Sequence, residues 1–310
     1  MCLLLALSLV FTGGCAGVGS EKKNDEKIII ATSFYPIYIF TLNIVNGLDD
    51  FEVRCMAEQN IGCLHDYTLT SKDVRLLNDA DAFVINGAGM ESFIEDAYKN
   101  VESLFVVDSS TGIELICDEE ADFSHEAEGH SHEDSNHSHE HTVNAHIWLS
   151  VENAKKQIGN IKDGLSEKFP EYSQQFLANY ENYVERLSAL EDVQKSYASE
   201  IKGEKVITFH KAYDYLARSS GFEIVTCIES DEGGEPSAKR LAELTENIKN
   251  EDIKALFTEP QYTGSAADIL ENETDIRVVV LNPVTSGEAE LTAYENIMKE
   301  NFELILKAVK

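Results

Sequence analysis

The histidines of this chain are concentrated in one short segment. Seven of the nine lie between Asp118 and Trp148, and six of those seven are interspersed with Asp, Glu, Ser and Gly. The six are His125, His130, His132, His137, His139 and His141. Because almost nothing apolar lies between Ala127 and Thr142, the composition predicts a loop rather than part of a core. Imidazole is the commonest metal ligand, so we interpret residues 118–145, the His-rich loop, as metal-collecting; a solvated linker is the alternative.

Three histidines stand at the boundaries of predicted ordered elements. His65 follows the second predicted strand, His146 begins the ordered chain after the His-rich loop, and His210 follows a strand over residues 205–208. A single histidine of this kind is more often a hydrogen-bonded structural residue. Two from the first half of the chain and one from the second, all at such boundaries, favour a common site. Three neutral imidazoles suit zinc, with bonds of about 2.0–2.1 Å.

The elements that must position these side chains alternate between strands and helices. Short β-branched runs such as residues 27–32 and 205–208 predict buried strands, each followed by a helical stretch. This alternation predicts an α/β fold of two parallel-sheet lobes, residues 28–170 and 202–310. Apolar residues at steps of three and four over residues 171–201 predict one long connecting helix, roughly 45 Å in length. Ligands of such lobes bind at the carboxyl ends of the strands, so we expect the metal site in the interlobe cleft.

Shorter elements follow from the same rules. Helices are expected over residues 38–45 and 90–98. Thr70 or Ser71 is expected to cap the helix that follows the first histidine, and Ser237 a helix of the second lobe.

The charge of the chain excludes one class of partner. It has 56 acidic residues against 25 basic ones, a net charge of −31 with histidine neutral. Nucleic-acid binding requires a basic face, so we expect no nucleic-acid partner. A strongly negative field attracts cations, although solubility alone would explain the same charge.

The N-terminal residues predict export. An apolar run from Leu3 to Phe11 is too short to span a bilayer, and small residues follow it up to Cys15. This pattern resembles a bacterial lipoprotein signal, residues 1–15, with Cys15 as the lipidated residue and residues 16–27 as a polar tether. We therefore expect an extracytoplasmic protein anchored to the cell membrane. Four further cysteines could form disulfides, although the sequence does not reveal their pairing: Cys55, Cys63, Cys117 and Cys227.

Five short stretches, in this order, carry a resemblance to a known family. They are His65-Asp66-Tyr67, Asn86-Gly87 with Gly89-Met90-Glu91, His146-Ile147-Trp148-Leu149, Phe209-His210-Lys211-Ala212-Tyr213, and Phe257-Thr258-Glu259-Pro260-Gln261-Tyr262. The chain resembles, from Lys27 to Lys310, the zinc- and manganese-binding lipoproteins that serve as substrate-binding subunits of metal ABC importers. The resemblance implies two α/β lobes joined by a long helix, with the metal between them. It also implies delivery of the metal to a membrane permease, and ligand roles for His65, His146 and His210.

The fourth ligand is left open by this resemblance. Many relatives use an acidic residue near the end of the last strand, where this chain has Asn282, and some use a Glu where it has Leu64. The candidates are Glu259, Asn282, a flanking group such as Cys63, and water. The His-rich loop resembles that of the zinc-preferring members.

These observations favour a non-enzymatic binding protein that captures Zn²⁺ and delivers it to an ABC permease. Three imidazoles without an assured carboxylate suit zinc better than manganese, which prefers oxygen ligands. The alternatives are a manganese-specific protein of the same type, a surface zinc hydrolase, and an adhesin, since the family has members with that label. No general base paired with a nucleophile is evident, which argues against the hydrolase. We expect a monomer.

Overall fold

The computed structural model describes residues 27–57, 67–117, 143–228, 236–262 and 264–310, and these residues form two α/β lobes. Each lobe contains one four-stranded sheet in which all the strands are parallel. None of the described helices is long and apolar enough to cross a membrane.

The N-terminal lobe is built on a sheet of strand order β2-β1-β3-β4. Its strands and helices are β1 (Ile28–Thr32), α1 (Tyr35–Ile44), β2 (Phe51–Cys55), α2 (Ser71–Asp79), β3 (Ala82–Ile85), α3 (Glu95–Lys99), β4 (Phe105–Asp108) and α4 (Val151–Lys168).

The C-terminal lobe repeats that arrangement with the order β6-β5-β7-β8. The helix α5 (Ser173–Ile201) leads into it, and its elements are β5 (Lys205–Thr208), α6 (Asp214–Ser220), β6 (Glu223–Cys227), α7 (Ala238–Glu251), β7 (Ala255–Thr258), α8 (Ser265–Glu273), β8 (Arg277–Val280) and α9 (Ala293–Val309).

Alternate residues of the central strands pack into different cores. Along β3, Val84 belongs to a large core that continues through both lobes, whereas Phe83 faces a smaller core beneath α2 and α3. Along β7, Phe257 joins the large core and Leu256 faces a smaller core beneath α7 and α8. Strand side chains point alternately to opposite faces, so both sheets are buried on both sides, as the continuous apolar runs predicted.

The connecting helix is confirmed. Its α-helical part begins at Ser173, after a 3₁₀ turn over Pro170–Tyr172, and it runs for 29 residues, about 44 Å. Phe176, Tyr183 and Leu187 on its buried face join the large core. Because this core contains residues of both sheets, the lobes are packed together along α5 rather than merely tethered by it.

Two of the shorter predicted helices differ from those observed. The first begins at Tyr35 instead of Tyr38, because Pro36 is acceptable in the first turn of a helix. The helix expected over residues 90–98 is a 3₁₀ turn over Ser92–Ile94 followed by the short α3. Met90 and Glu91 instead continue the turn that begins with Gly87, Ala88 and Gly89, whose backbone has positive φ.

Both predicted helix caps are confirmed. Thr70 and Asp73 form a reciprocal capping box at the start of α2, and the Ser237 side chain accepts a hydrogen bond from the Arg240 amide at the start of α7. The cysteines that the structure describes (Cys55, Cys117 and Cys227) form no disulfide with one another.

Candidate metal site between the lobes

The C-terminal lobe brings His210 to the carboxyl edge of its sheet. His210 follows β5 by two residues, and Glu259 directly follows the adjacent strand β7. The strand order reverses between β5 and β7, since the chain adds β6 on one side of β5 and β7 on the other. Such a switch point opens a crevice at the carboxyl ends of the strands, where α/β proteins bind ligands.

Glu259 orients the His210 ring. The carboxylate is 1% exposed, and its Oε1 lies 3.0 Å from His210 Nδ1, while its Oε2 accepts a hydrogen bond from the Gln261 side-chain amide. An ionised carboxylate only accepts hydrogen bonds, so Nδ1 carries the proton and Nε2 the lone pair. A carboxylate behind a ligating histidine in this way is the usual partner of a metal-bound imidazole. Tyr262 packs beside the ring, with the centroids 5.8 Å apart.

His146 comes from the N-terminal lobe but does not follow a strand of its sheet. It lies between an isolated bridge that joins Cys117 to Val143 and a 3₁₀ turn over Ile147–Leu149. The side chain is 4% exposed, and its Nδ1 lies 2.9 Å from Asn144 Oδ1. Its position therefore depends on contacts made by the segment around it.

A buried polar network of the N-terminal lobe holds that segment. Asn86 follows β3 and donates through Nδ2 to the Ala145 carbonyl at 3.0 Å, one residue before His146. The Asn86 oxygen in turn accepts from Gln157 Nε2 at 3.0 Å. The Glu91 carboxylate accepts the backbone amides of Asn86 and Gly87 at 2.7 and 3.0 Å. Burial raises the pKa of Glu91 to about 7, even though these two amide hydrogen bonds favour the ionised form.

Gly87 is required at the turn of this network. Its φ is +77°, and a Cβ at this position would lie 1.9 Å from Asp108 Oδ1. A larger residue would therefore be strained by the positive φ and would displace the Asp108 side chain.

Trp148 ties the same segment to the other lobe. Its ring lies 5.1 Å from that of His146, and its Nε1 donates to the Pro283 carbonyl at 2.7 Å. Tyr294 of α9 donates its hydroxyl to the Trp148 carbonyl at 2.8 Å. Phe34 packs edge-on against the indole, with centroids 4.9 Å apart. The chain around His146 is thus held from both lobes.

The two imidazoles meet in the cleft. The ring centroids of His146 and His210 lie 5.0 Å apart, with planes at 79°. Within the ranges that the structure describes, no group of three His, Cys, Asp or Glu side chains is arranged to hold a metal ion. The predicted ligand His65 falls in residues 58–66, outside the described ranges, so its contribution stays a prediction. The six predicted loop histidines and the predicted lipidation residue Cys15 also lie outside those ranges.

Two of the three protein candidates for a fourth ligand, Glu259 and Asn282, are engaged elsewhere, and the third, Cys63, lies outside the described ranges. Glu259 contacts the Nδ1 side of His210. Asn282 organises the turn after β8: its Oδ1 accepts the Val284 amide at 2.8 Å and its Nδ2 donates to the Ser286 carbonyl at 3.1 Å. This turn presents the Pro283 carbonyl to Trp148.

Several residues of the site have no signal in a single sequence. Asn86, Asn144 and Gln157 are buried amides, and nothing in the spacing of these residues distinguishes them from exposed ones. Glu91 and Trp148 lie in stretches that carried the family resemblance, but their contacts were not predicted.

Comparisons with known proteins identify the family and the fold that this chain resembles. Residues 30–308 match the family model described as "ZnuA: Zinc-uptake complex component A periplasmic". The chain is 32% identical over 317 residues to the zinc-binding lipoprotein AdcA of Streptococcus pneumoniae (serotype 4), an alignment that covers 99% of this chain and 60% of AdcA. It is 30% identical over 311 residues to the high-affinity zinc uptake system protein ZnuA of Bacillus subtilis, covering 98% of this chain and 93% of that protein.

A solved structure agrees with the fold. The Zn(II)-bound crystal structure of AdcA from Streptococcus pneumoniae is similar with a TM-score of 0.73 and 28% identity, over 91% of this chain and 58% of that one. This chain spans about 60% of the length of the AdcA proteins that it matches.

Proposed function

Because the chain belongs to the ZnuA family of zinc-uptake components, we propose that it captures Zn²⁺ between its two lobes and delivers the ion to an ABC permease. The observation that carries this proposal is the pairing of His146 and His210 across the cleft. Their ring centroids are 5.0 Å apart, and each ring has an oxygen acceptor at its Nδ1. Both rings therefore have the tautomer that binds a metal through Nε2.

The proposed ligands are His65, His146, His210 and a water molecule. Water is favoured for the fourth position because the Glu259 carboxylate is bonded to His210 Nδ1 and to Gln261. The Asn282 side chain is likewise bonded within its own turn. A ligand set of three imidazoles and a water suits zinc better than manganese, which prefers more oxygen ligands. The relatives AdcA and ZnuA are named for zinc.

The remaining parts of the proposal concern residues outside the cleft. We propose that the histidines of the His-rich loop collect zinc more weakly and raise its local concentration near the cleft. We also propose an extracytoplasmic location with a lipid anchor at Cys15, in keeping with the lipoprotein name of AdcA. The monomeric state stays a prediction.

A competition titration against a zinc chelator tests the site. We expect one tight Zn²⁺ site in the wild type, with affinity lowered about 100-fold or more in His146→Ala and in His210→Ala. Structural zinc sites are worth about 10–16 kcal/mol, so each of four ligands contributes about 3 kcal/mol, which is roughly 100-fold in affinity. The same loss in His65→Ala would assign the third ligand.

The matched control is His137→Ala in the His-rich loop, which removes an imidazole but should preserve the tight site. If His210→Ala bound zinc as tightly as the wild type, the interlobe site would be wrong and the loop would be the main binder. Tighter binding of Mn²⁺ than Zn²⁺ would favour a manganese-specific protein of the same type.

A hydrolase and an adhesin would each behave differently in such experiments. A surface zinc hydrolase would cleave ester or peptide substrates in a reaction that chelators abolish. An adhesin would bind its partner equally well in the His210→Ala variant. We expect neither behaviour, because the chain belongs to a family of zinc-uptake components.

A further inference from the structure

The Asn144 amide lies between His146 and the C-terminal lobe. Its Oδ1 accepts the backbone amide of His146 at 2.9 Å and lies 2.9 Å from that residue's Nδ1. Its Nδ2 donates to the Lys211 carbonyl at 3.0 Å and to Asp214 Oδ2 at 2.9 Å. The residue is 4% exposed, so water does not replace these partners readily.

These contacts determine which way the amide faces. The Lys211 carbonyl and the Asp214 carboxylate only accept hydrogen bonds, so the amide nitrogen must face them. The amide oxygen then faces His146, and a ring nitrogen beside an acceptor must carry a proton. The neutral His146 ring therefore has its proton on Nδ1 and its lone pair on Nε2. With the amide inverted, its nitrogen would face the ring, which would favour a lone pair on Nδ1 instead.

The backbone of Asn144 is also held by helix α6 of the C-terminal lobe, the helix that begins with Asp214. Tyr215, next to Asp214 in α6, donates its hydroxyl to the Asn144 carbonyl at 2.9 Å and accepts the Ile116 amide at 2.9 Å. Tyr215 is 3% exposed. One hydroxyl thus joins the two chain segments that meet at the Cys117–Val143 bridge to α6.

We propose that Asn144 is a positioning residue through which the C-terminal lobe sets the tautomer and ring orientation of the zinc ligand His146. The inference rests on the proposed zinc site, although the tautomer of His146 is a property of the metal-free protein and can be measured there. It assigns to Asp214, a side chain of the other lobe, a role in metal affinity without contact with the metal. The Asn144 amide then couples the contact between the lobes to the tautomer of His146 that binds zinc.

The test uses two readouts on three variants of the amide contact, with His146→Ala as a fourth variant for assignment. Long-range ¹H–¹⁵N NMR of the metal-free protein, labelled at histidine, reports the proton position on His146; the signal is assigned by its loss in His146→Ala. A chelator competition with Zn²⁺ alone reports affinity. Loss of an orienting partner of a ligating histidine typically costs about 10–100-fold in metal affinity.

In Asn144→Ala, we expect the His146 ring to lose its Nδ1–H state and zinc affinity to fall about 10-fold or more. This variant could fail to fold, so Asp214→Ala provides the second test at a distance from the ring. There we expect a second tautomer to appear and affinity to fall several-fold. Asp214→Asn retains an oxygen acceptor for the amide and should restore both readouts towards those of the wild type.

The proposal is overturned if Asp214→Ala keeps both the Nδ1–H tautomer and wild-type affinity. It is also overturned if affinity falls while the tautomer is unchanged, since the residue would then have only a structural role. If His146→Ala itself bound zinc normally, the proposed zinc site would fail. The tautomer measurement would still report on Asn144, so the two failures are distinguishable.

Discussion

The two lobes have the same sheet order but bring their histidines to the cleft by different means. The C-terminal lobe carries His210 directly at its switch point, with the orienting Glu259 at the end of the adjacent strand. In the N-terminal lobe, Asn86 directly follows β3 as Glu259 directly follows β7, but it binds the backbone of the His146 segment rather than an imidazole ring. His210 thus follows a strand of its sheet, whereas His146 lies in a segment outside the sheet that residues of the sheet hold by hydrogen bonds.

This difference shows why the two ligands depend on different interactions. His210 needs the strand and one carboxylate. His146 needs a buried network in its own lobe, the Asn144 amide, and hydrogen bonds from Trp148 and Tyr294 across the lobes. A ligand on a supported segment is sensitive to changes in many residues that never contact the metal.

The buried polar network of Asn86, Glu91 and Gln157 should give the largest change in the free energy of unfolding, because it contains the buried carboxyl group of Glu91. Burial raises the pKa of Glu91 from its ordinary value of 4.5 to about 7 in the fold. Between these values the folded protein holds a proton that the unfolded chain releases, so the free energy of unfolding falls as pH rises from about 4.5 to about 7. We expect this fall to total about 3 kcal/mol. Chemical denaturation of the metal-free wild type and of Glu91→Gln over this range would measure it.

The glutamine variant is its own control, because it retains the shape of the side chain without a titrating group. The difference in stability between wild type and Glu91→Gln should therefore change by about 3 kcal/mol across the range. Parallel pH curves would mean that Glu91 is ionised in the fold, and that the N-terminal network is held by charge.

Because His210 depends on its strand and one carboxylate, we expect a change at Glu259 to have a smaller effect that is confined to metal binding. In Glu259→Gln, an amide replaces the carboxylate at His210 Nδ1, and we expect zinc affinity to fall about 10-fold. The control is Glu251→Gln, which removes the same charge from a salt bridge with Lys205 at the opposite end of β5. That control should leave zinc affinity unchanged. Equal effects from both variants would show that only the overall charge matters.

The hydrogen bond from Tyr294 to the Trp148 carbonyl predicts the smallest effect. Tyr294→Phe deletes a buried hydroxyl without changing the ring, and we expect a loss of about 1 kcal/mol in the free energy of unfolding. Tyr172→Phe is the matched control, because the Tyr172 hydroxyl bonds to the exposed Asp50 carboxylate. A loss no larger than that of the control would mean that this link between the lobes contributes little to holding the His146 segment.

Most of the strands and helices could be predicted because their signals are local. The strand Lys205–Thr208 was predicted to the residue, since it is a short, β-branched run. The α-helix expected over residues 90–98 was wrong over residues 90–94. The turn before it includes Ala88, whose positive φ has no reliable signature in residue type because alanine rarely adopts it.

The sequence by itself determined the two-lobed α/β class, the connecting helix and the family, because periodicity and motif order are properties of a linear chain. It also singled out His210, since a histidine just after a buried strand lies at the edge where α/β ligands bind. Only the tertiary structure decided that His146 meets His210, that Glu259 faces Nδ1, and that Asn144 joins His146 to Asp214. The last two relations depend on single hydrogen bonds between residues about 50 to 70 positions apart, His210 to Glu259 and Asn144 to Asp214, and residue spacing does not encode their directions.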